Sequence, residues 1–181
     1  FQAEDGIRDC LLSRGLGDVY KRQDVRNIEI PDNSQDLVIC SEVLEHVPNF
    51  REVLKECYRI LKPGAVMLVS VPSYLPESLC WMYSKEYMQT PGGHIRIFKN
   101  NFLKECFREL NLKLFKHHRE HSMHSIYWIL KAKNNMEEND FLKSLHALLV
   151  KQMFGQAKFS LFLEKLLNPL FGKSECFYLR K

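Results

Sequence analysis

The sequence predicts an α/β fold with parallel strands, and three observations carry that expectation. Leu37, Val38, Ile39 and Cys40 form a short continuous apolar run, and Met67 to Val71 form a second. Both read as strands, the first as one buried on two faces. Between them, Val53, Leu54, Cys57, Tyr58 and Leu61 recur at the spacing of one buried helical stripe. Short polar links join the three pieces, and a strand, a helix and a strand so joined form a βαβ unit with parallel strands.

Each element has its own boundary signals. Pro31 to Asp36 supplies a turn before the first run. Asn49 is a good helix N-cap, and Glu52 completes a capping-box pattern. Lys62, Pro63 and Gly64 end the helix. Residues 73–98 read as a connection holding Trp81, Tyr83, Tyr87, His94 and Arg96. Asn101 caps a helix with Phe102, Leu103, Cys106, Phe107 and Leu110 on one stripe, Asn111 stops it, and residues 112–118 alternate as a strand. Ser125 to Gly172 is mostly helical. Phe141, Leu142, Leu145, Leu148, Leu149 and Met153 form one core stripe there, and the second run, Phe159 to Leu170, is flanked by Lys158, Lys165 and Lys173. The segment from Lys173 to Lys181 reads as a last strand.

The 181 residues suffice for one core, with 45% hydrophobic and 27% charged residues. No apolar run approaches the ~20 residues of a membrane span. The N-terminus shows no secretory pattern, so a cytoplasmic location is expected. The net charge of +4 is spread along the chain, which argues against nucleic-acid binding. The six cysteines form no CxxC pair and read as reduced core thiols. His117, His118, His121 and His124 invite a metal reading. No cysteine stands at ligand spacing, and neighbours on a strand point to opposite faces, so no metal is expected.

Residues 1–23 show no sustained periodicity, and the blocks FQAEDGIRD and SRGLGDVYKRQ resemble translated sequencing-adapter sequence. They are expected to be artefactual or disordered and to stand outside the fold, which leaves 24–181 as the domain portion.

Residues 24–72 resemble the second half of the class I S-adenosylmethionine-dependent methyltransferases, in the branch that includes quinone-biosynthesis enzymes. The resemblance rests on Asp24, Ile30-Pro31, Asp36, Leu44-Glu45-His46-Val47, Leu61-Lys62-Pro63-Gly64 and Val66 to Val71. Gln35 departs from it, because the family usually has an aromatic residue there. The resemblance implies a partial Rossmann-like sheet, strands three or four to seven, with a helical insertion at about 125–172 before an antiparallel last strand. It implies S-adenosylmethionine as cofactor, bound beyond the carboxyl ends of the strands. Asp24 would take the adenine amino group, the Val25 amide would face the ring, and Ser41 or Glu42 would lie near the methionine part. His46, Tyr87 and His94 would face the substrate. Plainer roles stand beside these: Asp24 as a turn residue, Asp36 as a structural one, and His46 and His94 in packing or capping.

The implied reaction is methyl transfer to a small-molecule or lipid-like acceptor. It needs no covalent nucleophile, and no catalytic residue is assigned. The family's Gly-rich loop does not precede Asp24, and Gly15-Leu16-Gly17 does not replace it, since no strand pattern leads into it. The chain by itself is therefore expected to expose a sheet edge and to be inactive. The alternative is a non-catalytic interaction module that binds a partner or membrane surface through its C-terminal helices.

Overall fold

The two apolar runs become adjacent parallel strands in the computed structural model, which describes residues 25–99 and 101–181. In chain order the elements are β1 (Gln35–Ser41), α1 (Phe50–Ile60), β2 (Leu61–Pro72), α2 (Tyr74–Tyr83), α3 (Lys85–Gln89) and α4 (Phe102–Glu109). There follow β3 (Lys113–Glu120), α5 (Ser122–Lys133), α6 (Asp140–Met153), α7 (Lys158–Phe171) and β4 (Ser174–Arg180). The sheet order is β1-β2-β4-β3, and β4 runs antiparallel to both of its neighbours. The last strand thus inserts beside β2, as the resemblance implies, and three helices precede it.

The core lies on one face of the sheet. Val38, Cys40, Met67, Val69, Val71, Phe177 and Leu179 point into it from the strands. Val53, Leu54, Cys57 and Ile60 of α1 meet them, with Leu103, Cys106 and Phe107 of α4. The Phe107 and Phe177 rings pack edge to face at 5.3 Å. Truncating such a fully buried ring to alanine costs ~3–5 kcal/mol.

The other face of β1 corrects the sequence reading. Leu37 is 54% and Ile39 62% exposed, so the strand is buried on one face only. It is an edge strand among the described residues, and its apolar run reflects one core face plus one uncovered face. The capping box at Asn49 does not form either. The Asn49 side chain makes no bond to the helix backbone, and its amide instead faces the Glu52 carboxylate at 3.4 Å. Lys62-Pro63-Gly64 follows the helix end rather than making it. Leu61 already pairs with Gln35, and Gly64 sits at φ 81 in an irregularity within β2. Only glycine takes that left-handed conformation without strain.

The end of α1 is held from afar. Lys181 Nζ donates to the carbonyls of Tyr58 and Leu61, both at 2.7 Å. A cation is favourable at a helix C-terminus, where carbonyls lack partners. Arg59 binds the carbonyls of Ile28 and Ile30 at 2.9 Å, and Glu56 accepts from the Ile28 amide at 2.8 Å. The stretch after Val25 is thereby fastened to α1.

Cys40, Cys57, Cys80 and Cys106 are buried free thiols and Cys176 is partly buried, while Cys10 lies outside the described residues. The segment 73–98, read as a connection, contains α2 and α3. The expected stripe on α6 is only half buried: Leu142 and Leu149 pack with Tyr127, whereas Phe141 and Met153 are exposed. No helix among the described residues is long and apolar enough to cross a membrane.

Candidate functional site

The site is built where β1 and β2 end. At its first edge, Ser41 and Ser70 from the adjacent strands share a hydrogen bond of 2.8 Å between their hydroxyls. Ser70 Oγ donates to Glu42 Oε1 at 3.0 Å, and the Glu42 amide donates to the Ser70 carbonyl at 3.0 Å. Glu42 takes φ 51, a left-handed turn that swings the chain out of the sheet directly after β1. The two sequence-selected residues of this edge, Ser41 and Glu42, therefore belong to one polar cluster. Of the other two, Val25 is half-buried against the core, and Asp24 lies outside the described residues.

A second cluster follows at once. His46 Nδ1 donates to the Gly93 carbonyl at 3.1 Å, and the Ile95 amide donates to the Glu45 carbonyl at 3.0 Å. Arg96 bonds the Pro48 carbonyl at 2.7 Å and lies 4.9 Å from the Phe50 ring centre. These contacts strap residues 93–96 across the turn after β1, bringing the His46 and His94 rings to 5.0 Å.

His94 has its own support. Its Nδ1 lies 2.5 Å from Glu77 Oε1. Glu77, on α2, is almost fully buried and also accepts from Trp81 Nε1 at 3.1 Å and Tyr87 Oη at 3.2 Å. Burial alone would raise its pKa, but the hydrogen bond and charge of His94, with Lys173 and Tyr87, hold it below the usual carboxylate value. An ionised carboxylate can only accept, so the proton of a neutral His94 sits on Nδ1 and its Nε2 carries the free lone pair. The Gly93 carbonyl sets the same tautomer in His46.

Both Nε2 atoms face Glu45. They lie 3.7 Å (His46) and 4.0 Å (His94) from its Oε1. Glu45 is completely buried, and neither carboxylate oxygen has a hydrogen-bond partner. Burial pushes its pKa up to about 7; Glu42 and Glu77 add to the rise, and a backbone hydrogen bond and His94 oppose it. Glu45, His46 and His94 each offer a ligand atom within 4.8 Å of the others, close enough for one divalent cation.

A cavity of 410 Å³ opens here, walled by His46, Trp81, Met88, Gln89, Thr90, Gly92, Gly93, His94 and Ile95. Two of the three residues expected to face substrate, His46 and His94, therefore line it. Tyr87 does not: its hydroxyl is turned to Glu77 behind the wall, where burial and then Glu77 raise its pKa. Sequence reasoning missed Glu77 and gave Glu45 no role. A signal for Glu77 existed in its i, i+4 spacing to Trp81, which is visible only once α2 is a helix.

Parallel strands that end in a polar cluster beside a histidine-lined cavity fit a Rossmann-like α/β domain, with the candidate site at the carboxyl ends of the strands. The chain belongs to a methyltransferase-domain family, whose model matches residues 7–117. It is 36% identical over 85 residues to the sterol 24-C-methyltransferase of Eremothecium gossypii, covering 46% of this chain and 20% of that protein. It is 37% identical over 68 residues to the ubiquinone biosynthesis O-methyltransferase of Hahella chejuensis, covering 37% of this chain and 29% of that protein. The chain thus spans less than a third of the length of these relatives. An S-adenosylmethionine-dependent methyltransferase from Mesorhizobium loti has the same fold, with a TM-score of 0.54 at 12% identity over 99% of this chain and 76% of that one.

Proposed function

We propose that this domain takes part in methyl transfer from S-adenosylmethionine to a small-molecule or lipid-like acceptor bearing a hydroxyl group. The observation that carries the reading is His94, which lines a cavity at the strand ends and is oriented by the buried Glu77. When bound, S-adenosylmethionine supplies an electrophilic methyl group on sulfur. His94 Nε2 accepts the hydroxyl proton as the acceptor oxygen gains the methyl group. Glu77 holds the imidazole in the required tautomer and stabilises the charge it gains, in the manner of a carboxylate behind a histidine base.

The residues at the first edge fit the cofactor's amino-acid end. Glu42 and the hydroxyls of Ser41 and Ser70 offer an anion and acceptors suited to an ammonium group, and Ser41 is exposed to receive it. In the full-length gene product carrying this chain, Glu42→Gln is expected to weaken S-adenosylmethionine binding by about tenfold or more, since a charge-assisted hydrogen bond is worth ~1.5–3 kcal/mol. Isothermal titration measures this. Absence of binding by the parent protein removes the methyl-transfer reading; unchanged affinity in the variant removes Glu42 from the cofactor site.

The alternative reading, a non-catalytic module that contacts an anionic membrane surface through its C-terminal helices, has its own observation. The buried face of α7 is polar, made of Ser160, Glu164 and Asn168, while Phe159 (75%), Phe162 (64%), Leu166 (65%) and Leu170 (64%) are exposed. Lys158 and Lys165 of the same helix are exposed as well. An apolar stripe bordered by cations fits a negatively charged lipid interface. The protein is expected to pellet with anionic vesicles and to lose this when Phe159 and Phe162 become serine. A protein that stays in the supernatant contradicts the contact.

A further inference from the structure

The four histidines between residues 117 and 124 divide into two pairs with different surroundings. His117 stacks on Phe177 at 4.9 Å, and its Nε2 meets Glu175 Oε1 at 2.7 Å. His118 stacks on Tyr178 at 5.4 Å, on the opposite face of the sheet. These two are tied to β4. His121 and His124 have left the strand and sit at the start of α5.

His121 caps α5 at φ 67 and ψ 43. This left-handed conformation turns its ring toward α7, where Nδ1 lies 3.4 Å from Glu164 Oε1. The ring of His124 is 5.5 Å away from that of His121. All three residues offer a ligand atom within 4.8 Å of one another. Zinc binds imidazole nitrogen and carboxylate oxygen at ~2.0–2.2 Å in a tetrahedron, whose edge is then roughly 3.3–3.6 Å. The gap between His121 and Glu164 already has that length.

We propose that His121, His124 and Glu164 form a binding site for a zinc-class divalent ion that clamps α7 onto the first turn of α5. Two observations point past a simple ion pair. Glu164 lies on the buried polar face of α7, with its side chain only 8% exposed. His124 Nδ1 is buried with no hydrogen-bond partner, which pairing of His121 with Glu164 does not relieve. A cavity of 260 Å³ adjoins the three and reaches Gln152 and Lys165, leaving room for water as the remaining ligand. The earlier expectation of no metal weighed the histidines as one set looking for cysteine partners, whereas the third ligand is a glutamate forty residues further on in the sequence.

The clamp has a consequence for the first site. The α5 helix carries Trp128, which lies 5.8 Å from the Tyr87 ring, and Tyr87 donates to the Glu77 that orients His94. Fixing α5 therefore steadies the wall behind the cavity. The site itself does not rest on the methyl-transfer reading.

The test is a titration of the metal-stripped chain with Co²⁺, followed by displacement with Zn²⁺. The visible bands of low-coordinate cobalt are expected in the parent chain. Glu164→Gln and His124→Asn should each weaken binding by about tenfold or more, as even outer-shell losses cost that much. A His46→Asn, His94→Asn double variant should keep the bands, which separates this site from the other histidine cluster. Circular dichroism checks folding, and Glu164→Gln, nearly isosteric, decides if His124→Asn is unfolded. No bands from the folded parent chain, or bands that survive Glu164→Gln unchanged, would overturn the site.

Discussion

Replacing His94 with asparagine is expected to lower kcat for methyl transfer by about 10²–10⁴-fold, the usual worth of a positioned general base. S-adenosylmethionine affinity should hardly change, because His94 lies in the second cluster, apart from Ser41, Ser70 and Glu42. Glu77 acts through His94 and is a positioning residue. Its removal should lower kcat with little effect on KM for the acceptor, and Glu77→Asp should recover more rate than Glu77→Ala, since only a carboxylate can fix the Nδ1 proton and balance the imidazolium. The assay is steady-state kinetics on the full-length gene product, with an acceptor found by screening phenols and lipid alcohols. If His94→Asn keeps the parent rate, His94 is a packing residue, and the plainer sequence reading holds.

The βαβ unit was legible because buried strands and amphipathic helices leave periodic apolar patterns, and Val53, Leu54 and Cys57 occupy the core as their spacing implies. Failures occurred where burial and polarity part company. Leu37 and Ile39 are apolar but exposed, so a run that looked two-sided is one-sided. The α2 helix buries Pro76, Glu77 and Cys80, a mixed set with no apolar stripe, and it passed for a loop. In α7 the pattern is inverted, with Ser160, Glu164 and Asn168 inside. Their partners explain this: Ser160 donates to Gln152 at 2.8 Å, and Asn168 accepts from the Ser122 amide at 3.0 Å. No periodicity argument anticipates a polar interior that depends on long-range bonds. At the candidate site, His46 and His94 were reachable through family resemblance. The link from His94 to Glu77 was not, because it joins a strap to a helix that the sequence did not announce.

Glu45 should make the protein less stable as pH rises through neutrality. Its folded pKa is about 7 against an ordinary 4.5, with burial as the main cause. A carboxyl with a raised folded value binds its proton more tightly when folded. Its contribution is therefore fully present below the unfolded value near 4.5 and is lost as pH climbs through about 7. At 1.36 kcal/mol per unit, the loss is roughly 3 kcal/mol across that window. Glu56 and Glu77 have lowered values and act in the opposite sense, adding stability above the ordinary carboxylate range, so the total pH profile mixes both. A difference measurement isolates Glu45. The stability of Glu45→Gln minus that of the parent, from denaturant midpoints with chelator present, should increase by roughly 3 kcal/mol from about pH 4.5 to just above pH 7. Any fixed cost of burying the amide shifts the curve without tilting it. A flat difference would mean that Glu45 is ionised throughout. Its unpaired oxygens would then carry a buried negative charge 3.7 Å from His46 Nε2 and 4.0 Å from His94 Nε2.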